Sequence, residues 1–314
     1  MKYINTYHEG DRVSDVYLCK YVQTAVTKNG KPFVNIILQD KTGTIDAKIW
    51  DPNNAGISDF DVFDYIEVCG DVNSFQGTLQ ISVKRVRVCG EDEYQAEDYL
   101  PVSKRDRKEM LGEFHTLIGT IQNKYFKTLV EDIFIKDEVF AKAFSTSSAA
   151  KTVHHGFVGG LLEHTLNVTK LCAYYCESYT HLNRDLLLTA AMLHDIGKVK
   201  ELSLFPQNDY TDEGQFLGHI VMGSEMISDY AKDIPGFPSL ELMELKHCII
   251  AHHGELEYGS PKKPALMEAV ALNFADNTDA KMQIFTELLD QTEETGWLGY
   301  NRLFESNLRV TKVD

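Results

Sequence analysis

The sequence predicts a chain of two unlike parts, an all-β barrel followed by an all-α helical bundle. Three observations carry that division. Residues 11–89 alternate apolar and polar at period two between Gly- and Asn-rich turns. From Asp106 onward the apolar positions recur at three and four residues, as on helices. Between the two, residues 91–99 are acidic and aperiodic. A chain of 314 residues is long enough to bury a core in each part.

In the first part, Val13, Val16 and Leu18 open an irregular alternation that runs to Val26. Lys28-Asn29-Gly30-Lys31 then carries the Asn-Gly hairpin signature. Residues 33–39 form a second strand, and Asp40-Lys41-Thr42-Gly43 turns into a cleanly alternating third at 44–50. A link at 52–63 leads to a fourth strand at 65–72, and Gln76-Gly77 turns into a fifth at 79–88. Five strands with the longer link between the third and fourth predict a small closed barrel of the OB type over residues 1–90. Such barrels hold single strands by stacking bases on exposed rings, at about 1–3 kcal/mol per base. Tyr21, Phe33, Trp50 and Phe75 are the candidate stacking residues and Lys48 a candidate phosphate contact. For each ring, filling of the barrel is the competing reading.

Residues 91–104 read as an acidic linker ahead of a helical connector at 105–150. There Met110, Phe114, Leu117, Ile118 and Ile121, then Phe126, Leu129, Val130 and Ile133, keep helical spacing. The chemistry is expected in the next segment, 151–290. An adjacent His194 and Asp195 end an apolar helical stretch, and a buried His beside a buried Asp is costly unless both are paired or bound to a cation. Other apolar stripes contribute His164, His219, the pair His252–His253, and Asp276. Several helices that each point a ligand-type side chain into one core can build a metal site. His164, His194, Asp195 and Asp276 suffice for one ion. His219 with His252 or His253 would support a second, bridged by Asp195, in the two-ion arrangement that clamps a phosphoryl displacement. Asp279, on the face of Asp276, is its rival for the last position. Lys198 is placed to offset charge on a phosphate oxygen, and His154 and His155 to meet phosphate or protonate the leaving oxygen. The tail at 291–314 carries Trp297, Tyr300 and Phe304 with no evident partner.

Net charge is −16, unevenly spread: residues 1–90 balance to −1, residues 91–104 to −4, and the remainder to −11. Bulk attraction to nucleic acid is therefore weak, and binding should rest on stacking and on metal ions that cancel part of the acidic excess. Six dispersed cysteines without a C-x-x-C pair are expected as reduced core thiols. No apolar run is long enough to span a bilayer, and Met1-Lys2-Tyr3-Ile4-Asn5 lacks the apolar core of a signal peptide. The expectation is a cytoplasmic protein with no membrane partner.

His164, the His194–Asp195 pair and Asp276 stand in the order of the H…HD…D motif, and together they resemble the HD-domain metal-dependent phosphohydrolase superfamily. With His219 and His252 added, the set is similar to its two-metal members. The order of barrel then HD domain resembles the YhaM-type bacterial 3′-5′ exoribonucleases. So does the stretch from His155 through Gly159-Gly160 and Glu163 to His164-Thr165. The resemblance implies a Mn²⁺-favoured hydrolase, with one or two ions, that trims single-stranded RNA from its 3′ end to nucleoside monophosphates. Single-stranded DNA is a second candidate substrate, and oligomerisation is left open. The alternatives are an HD-domain phosphohydrolase or phosphodiesterase acting on a small nucleotide, a di-iron oxygenase on the same scaffold, and a non-catalytic single-strand-binding protein.

Overall fold

The computed structural model describes residues 2–27, 29–90, 92–151, 155–290 and 296–311. Lys28 of the expected hairpin turn, Glu91, His154 and parts of the tail (291–295 and 312–314) lie outside the described residues. The chain divides into two units, one built from Met1–Val102 and the other from Ser103 onward apart from residues 205–207.

The first unit is a closed barrel of β1 (Arg12–Val26), β2 (Pro32–Asp40), β3 (Gly43–Ile49), β4 (Tyr65–Phe75) and β5 (Thr78–Val88). Its strand order is β1-β2-β3-β5-β4, with β3 and β5 parallel and the other pairs antiparallel. Closure depends on β1, which serves two partners. Its first half pairs with β4 and its second with β2, and a register shift between Cys19 and Tyr21 bends it from one to the other. That irregularity is why the alternation in β1 is imperfect in the sequence. Tyr17, Ile36, Leu38, Ile49, Ile66, Val68 and Ile81 fill the interior. A second shift, between Cys69 and Gly70, brings the backbone of β4 against β5. A Cβ on Gly70 would stand 2.4 Å from the Ser82 carbonyl oxygen.

The second unit is helical: α1 (Arg107–Gly119), α2 (Lys124–Glu131), α3 (Glu138–Thr146), α4 (Gly160–Ser178), α5 (Arg184–Leu193), α6 (Lys198–Glu201), α7 (Asp212–Lys232), α8 (Ser239–Ala251) and α9 (Met267–Asp290). Side-chain caps mark several starts, among them Asp106 on the Glu109 N–H, Asn183 on Leu186 and Thr211 on Gly214. One apolar core runs through Met110, Phe114, Phe144, Leu161, Leu187, Leu193, Ile249 and Leu272, so α1–α3 share it with the later helices. The helix α7 is two segments joined at Gly218, whose φ of 70° only glycine adopts readily. After α9 the tail folds into a hairpin, β6 (Trp297–Asn301) against β7 (Ser306–Arg309). Among the described residues, no helix is long and apolar enough to cross a membrane. The six cysteines are free.

Because Gly70 has no room for a methyl group, Gly70→Ala should destabilise the barrel by about 1–3 kcal/mol. The check is a lowered urea midpoint for the barrel's transition, with the helical unit's transition unmoved.

Candidate metal centre and strand-binding groove

The centre is assembled from four helices and the turn between α5 and α6. His164 comes from α4. His194 and Asp195 lie in the turn, His219 opens the second segment of α7, His252 and His253 follow α8, and Asp276 sits mid-way along α9. His164, His194, His252 and Asp195 are almost wholly buried. Glycines set the spacing: a Cβ on Gly197 would lie 2.1 Å from the His219 carbonyl oxygen, and one on Gly160 2.0 Å from that of His155. The turn therefore meets α7 backbone to backbone, which the kink at Gly218 permits.

Hydrogen bonds decide which nitrogen of each imidazole is free. The Nδ1 of His194 lies 2.8 Å from the Ala191 carbonyl oxygen, that of His252 2.6 Å from Ile249 O, and that of His253 2.8 Å from Tyr258 O. A carbonyl only accepts, so each Nδ1 carries the proton and each Nε2 presents a lone pair. Carboxylates play the same part for two others. Asp279 accepts from His164 Nδ1 at 2.7 Å, and Glu201 from His219 Nδ1 at 3.0 Å. Such outer partners fix the tautomer and raise the basicity of a metal-binding histidine.

The freed nitrogens converge. His164 Nε2 lies 3.2 Å from His194 Nε2, 3.2 Å from an Asp276 oxygen and 3.4 Å from Asp195 Oδ2. The other Asp195 oxygen, Oδ1, lies 3.4 Å from His219 Nε2 and 3.7 Å from His252 Nε2. Asp195 thus stands between two groups, His164–His194–Asp276 and His219–His252–His253, each tight enough to share an ion. Three of these atoms, Asp195 Oδ1, His219 Nε2 and His252 Nε2, are buried with no hydrogen-bond partner among the described residues. Buried acceptors left facing one another are costly, and a cation is what would satisfy them. The nitrogen-and-carboxylate donor set suits Mn, Fe, Zn or Ni.

Electrostatics follow the same geometry. Burial opposes a charge on His164, but the carboxylates of Asp195, Asp276 and Asp279 outweigh it and hold its pKa well above the ordinary value. Burial and the neighbouring imidazoles of His253 and His194 push His252 the other way, so it stays neutral. Burial would raise the Asp195 carboxyl, yet Lys198 and the histidines around it keep it well below the usual carboxylate range.

Two expectations are corrected. His155 is fully buried behind His164, on a left-handed backbone with φ of 60°, and its Nε2 meets Asp279 at 2.8 Å. Its ring is engaged by Asp279, which also accepts from His164 Nδ1, while an Asp276 oxygen lies on the other side of the His164 ring, 3.2 Å from His164 Nε2. Lys198 opens α6, and its Nζ sits 2.6 Å from Asp195 Oδ2 while its side chain lines the cavity. Its first partner is therefore the central carboxylate, not a free phosphate position. Sequence reasoning missed Glu201, which also accepts from the His219 backbone N–H at 2.9 Å. It missed Asn273 as well, whose amide donates to the His252 carbonyl oxygen at 2.7 Å. An acid in the short segment after His194–Asp195 was the available signal for the first.

A cavity of about 1010 Å³ opens onto the centre, lined by His164, Lys198, His219, His253 and Asp276 and walled by Lys151, Asn277 and Lys281. On the barrel, a separate groove of about 480 Å³ brings together Tyr21, Lys48 and Phe75 with Asn35 and Gln80. Phe33 and Trp50 stack on each other beside it at 5.3 Å, and the Lys48 ammonium lies 5.5 Å from the Phe33 ring centroid. Tyr21, Trp50 and Phe75 are exposed, so none of the three fills the barrel.

Comparison with known proteins agrees with both parts. Residues 161–281 match the HD domain family, and residues 12–89 match the OB-fold nucleic acid binding domain family. The chain is 36% identical to the 3′-5′ exoribonuclease YhaM of Geobacillus sp. (strain WCH70), over 91% of this chain and 88% of that protein. It is 34% identical to the protein of that name in Bacillus subtilis (strain 168), over 91% and 90%. Among solved structures, a replication protein A heterotrimer bound to ssDNA aligns at 21% identity and a TM-score of 0.22, over 28% of this chain and 64% of that one.

Loss of the carboxylate behind His164 should weaken metal binding without touching a ligand. Asp279→Ala is expected to lower Mn²⁺ affinity about 10–100-fold, read by calorimetric titration; unchanged affinity would place Asp279 outside the centre's support.

Proposed function

The chain belongs to the family of YhaM 3′-5′ exoribonucleases, and on that footing we propose that it is a metal-dependent hydrolase releasing nucleoside monophosphates from the 3′ end of single-stranded RNA, with single-stranded DNA as a second substrate. The observation that carries the chemistry is the pair of donor groups flanking Asp195, with three buried acceptor atoms that have no hydrogen-bond partner among the described residues. His164, His194 and Asp276 would hold one divalent ion, His219, His252 and His253 a second, and Asp195 would reach both. Bound there, Mn²⁺ would polarise the scissile phosphate and acidify the attacking water.

The chain's own groups do the rest. The Nδ1 partners fix the neutral tautomer whose Nε2 faces the centre; at His164, whose pKa the surrounding carboxylates raise, a bound ion would have to displace the Nε2 proton. Lys198, its pKa raised by Asp195 despite burial, stays cationic at the cavity wall, where it offsets the negative charge of the central carboxylate. Lys151, paired with Asp209 at 2.6 Å, and Lys281 line the same cavity with Glu201, Glu255 and Glu305, so its attraction for phosphate would come chiefly from bound cations. Tyr21 and Phe75 in the barrel groove offer faces for bases of any identity, with Lys48 for a phosphate. An enzyme that grips by stacking and cuts by metal has no need to read sequence.

Incubation with 5′-labelled single-stranded RNA, and separately with free nucleotides, decides between this reading and a small-nucleotide phosphohydrolase. RNA shortened one mononucleotide at a time in Mn²⁺, with nucleotides untouched, is the expected result; the reverse pattern would overturn it. Asp195→Asn should abolish turnover, as should EDTA, with Mn²⁺ restoring only the native enzyme. Tyr21→Ala and Phe75→Ala should each weaken strand binding by about 1–3 kcal/mol in fluorescence anisotropy, with little change in turnover of very short RNA.

A further inference from the structure

The tail's aromatic residues remain without a role in this scheme. Its hairpin is not a plain one. Trp297 pairs with Arg309 and Tyr300 with Asn307, with a register shift between Trp297 and Gly299. Arg309 and Asn307 are two apart on β7 and so share a face. Trp297 and Tyr300, three apart on β6, would point to opposite faces of a regular strand. The extra residue puts them on the same face, and Gly299, at φ of 91°, supplies the backbone conformation that a bulge of this kind uses. Leu308, on the other face, is buried.

The bulge therefore turns both rings outward together. Trp297 is 69% and Tyr300 68% exposed, two large rings on one face of the hairpin, with the Arg309 guanidinium 6.0 Å from the Trp297 ring centroid. The turn of the same hairpin reaches the centre: Leu303, Phe304 and Glu305 line the metal-site cavity, and Phe304 packs on Phe285 of α9 at 5.4 Å. One end of this element walls the cavity while its outer face offers stacking surfaces. In a chain of net charge −16 it also carries two arginines, Arg302 and Arg309, against the single acid Glu305 over residues 296–311.

We propose that the C-terminal hairpin is a second strand-binding element, on which Trp297 and Tyr300 stack successive bases of single-stranded RNA whose 3′ end occupies the cavity, with Arg309 on the intervening phosphate. Paired exposed rings flanked by a guanidinium are the features that hold single strands without base preference. The hairpin's continuity with the cavity selects RNA over a protein partner. The proposal rests on the nuclease reading above.

The sequence contains two tryptophans, Trp50 and Trp297, so Trp50→Phe leaves Trp297 as the sole indole. In the full chain carrying Trp50→Phe, with Asp195→Asn to prevent cleavage, an oligoadenylate of about ten nucleotides should quench indole fluorescence saturably. Tyr300→Ala and Arg309→Ala in that background should each raise the midpoint of quenching by about ten-fold, and Tyr300→Phe should restore it. Indole emission unchanged while anisotropy shows the labelled RNA bound overturns the hairpin's role and leaves the nuclease reading standing. A native enzyme that fails to degrade RNA in Mn²⁺ overturns the nuclease reading, and with silent emission the hairpin falls too. If Trp297→Ala instead shifts the sedimentation of the chain from dimer to monomer with RNA affinity unchanged, the rings cover a second copy and the proposal is overturned.

Discussion

The placement of protons governs the helical unit. Five histidines turn a nitrogen toward one centre, and an imidazole can serve as a ligand only if its free nitrogen faces the right way without a hydrogen. Each Nδ1 is committed to an acceptor: a main-chain carbonyl for His194, His252 and His253, a carboxylate for His164 and His219. Two of the carbonyls lie three residues back on the histidine's own helix or its end, so the helix C-termini at Leu193 and Ala251 are themselves part of the ligand geometry. Helix ends leave carbonyls unpaired in any case. Here they orient rings.

The second requirement is closeness. Asp195 can face two sets of donors only because the turn that carries it presses against α7 with no side chain between, at Gly197 and the His219 carbonyl. The bend at Gly218 then aims His219 inward while the first segment of α7 stays on its own course. Glu201 ties both the ring and the backbone of His219 from the short α6. Charge, tautomer and backbone contact are thus settled within one local knot of α6, α7 and the turn.

Much of this was legible in the sequence. Period-two alternation and the Asn-Gly and Gln-Gly turns located five strands to within a few residues, because each barrel strand has one wet and one dry face. The helical stripes located His164, His194, His219 and Asp276 for the same reason in period 3.6. What stayed hidden depends on contacts between distant segments. Nothing local distinguishes Asp276 from Asp279, one turn apart on α9; only the position of His155 and His164 assigns one to the centre and the other behind it. Lys198 read as a phosphate contact because its tie to Asp195 is three-dimensional. The tail hairpin escaped notice because its bulge breaks the alternation that marks a strand.

Asp276 is contributed by the last long helix, and the carboxylate that steadies His164 lies one turn further along it. A chain still emerging from the ribosome therefore lacks a competent centre until α9 has been made and has docked. For a protein that destroys RNA, that order of assembly ties the centre to α9: the growing polypeptide has neither Asp276 nor Asp279 until that helix has been made. A fragment that ends before α9 would lack both the Asp276 carboxylate and the one that orients His164.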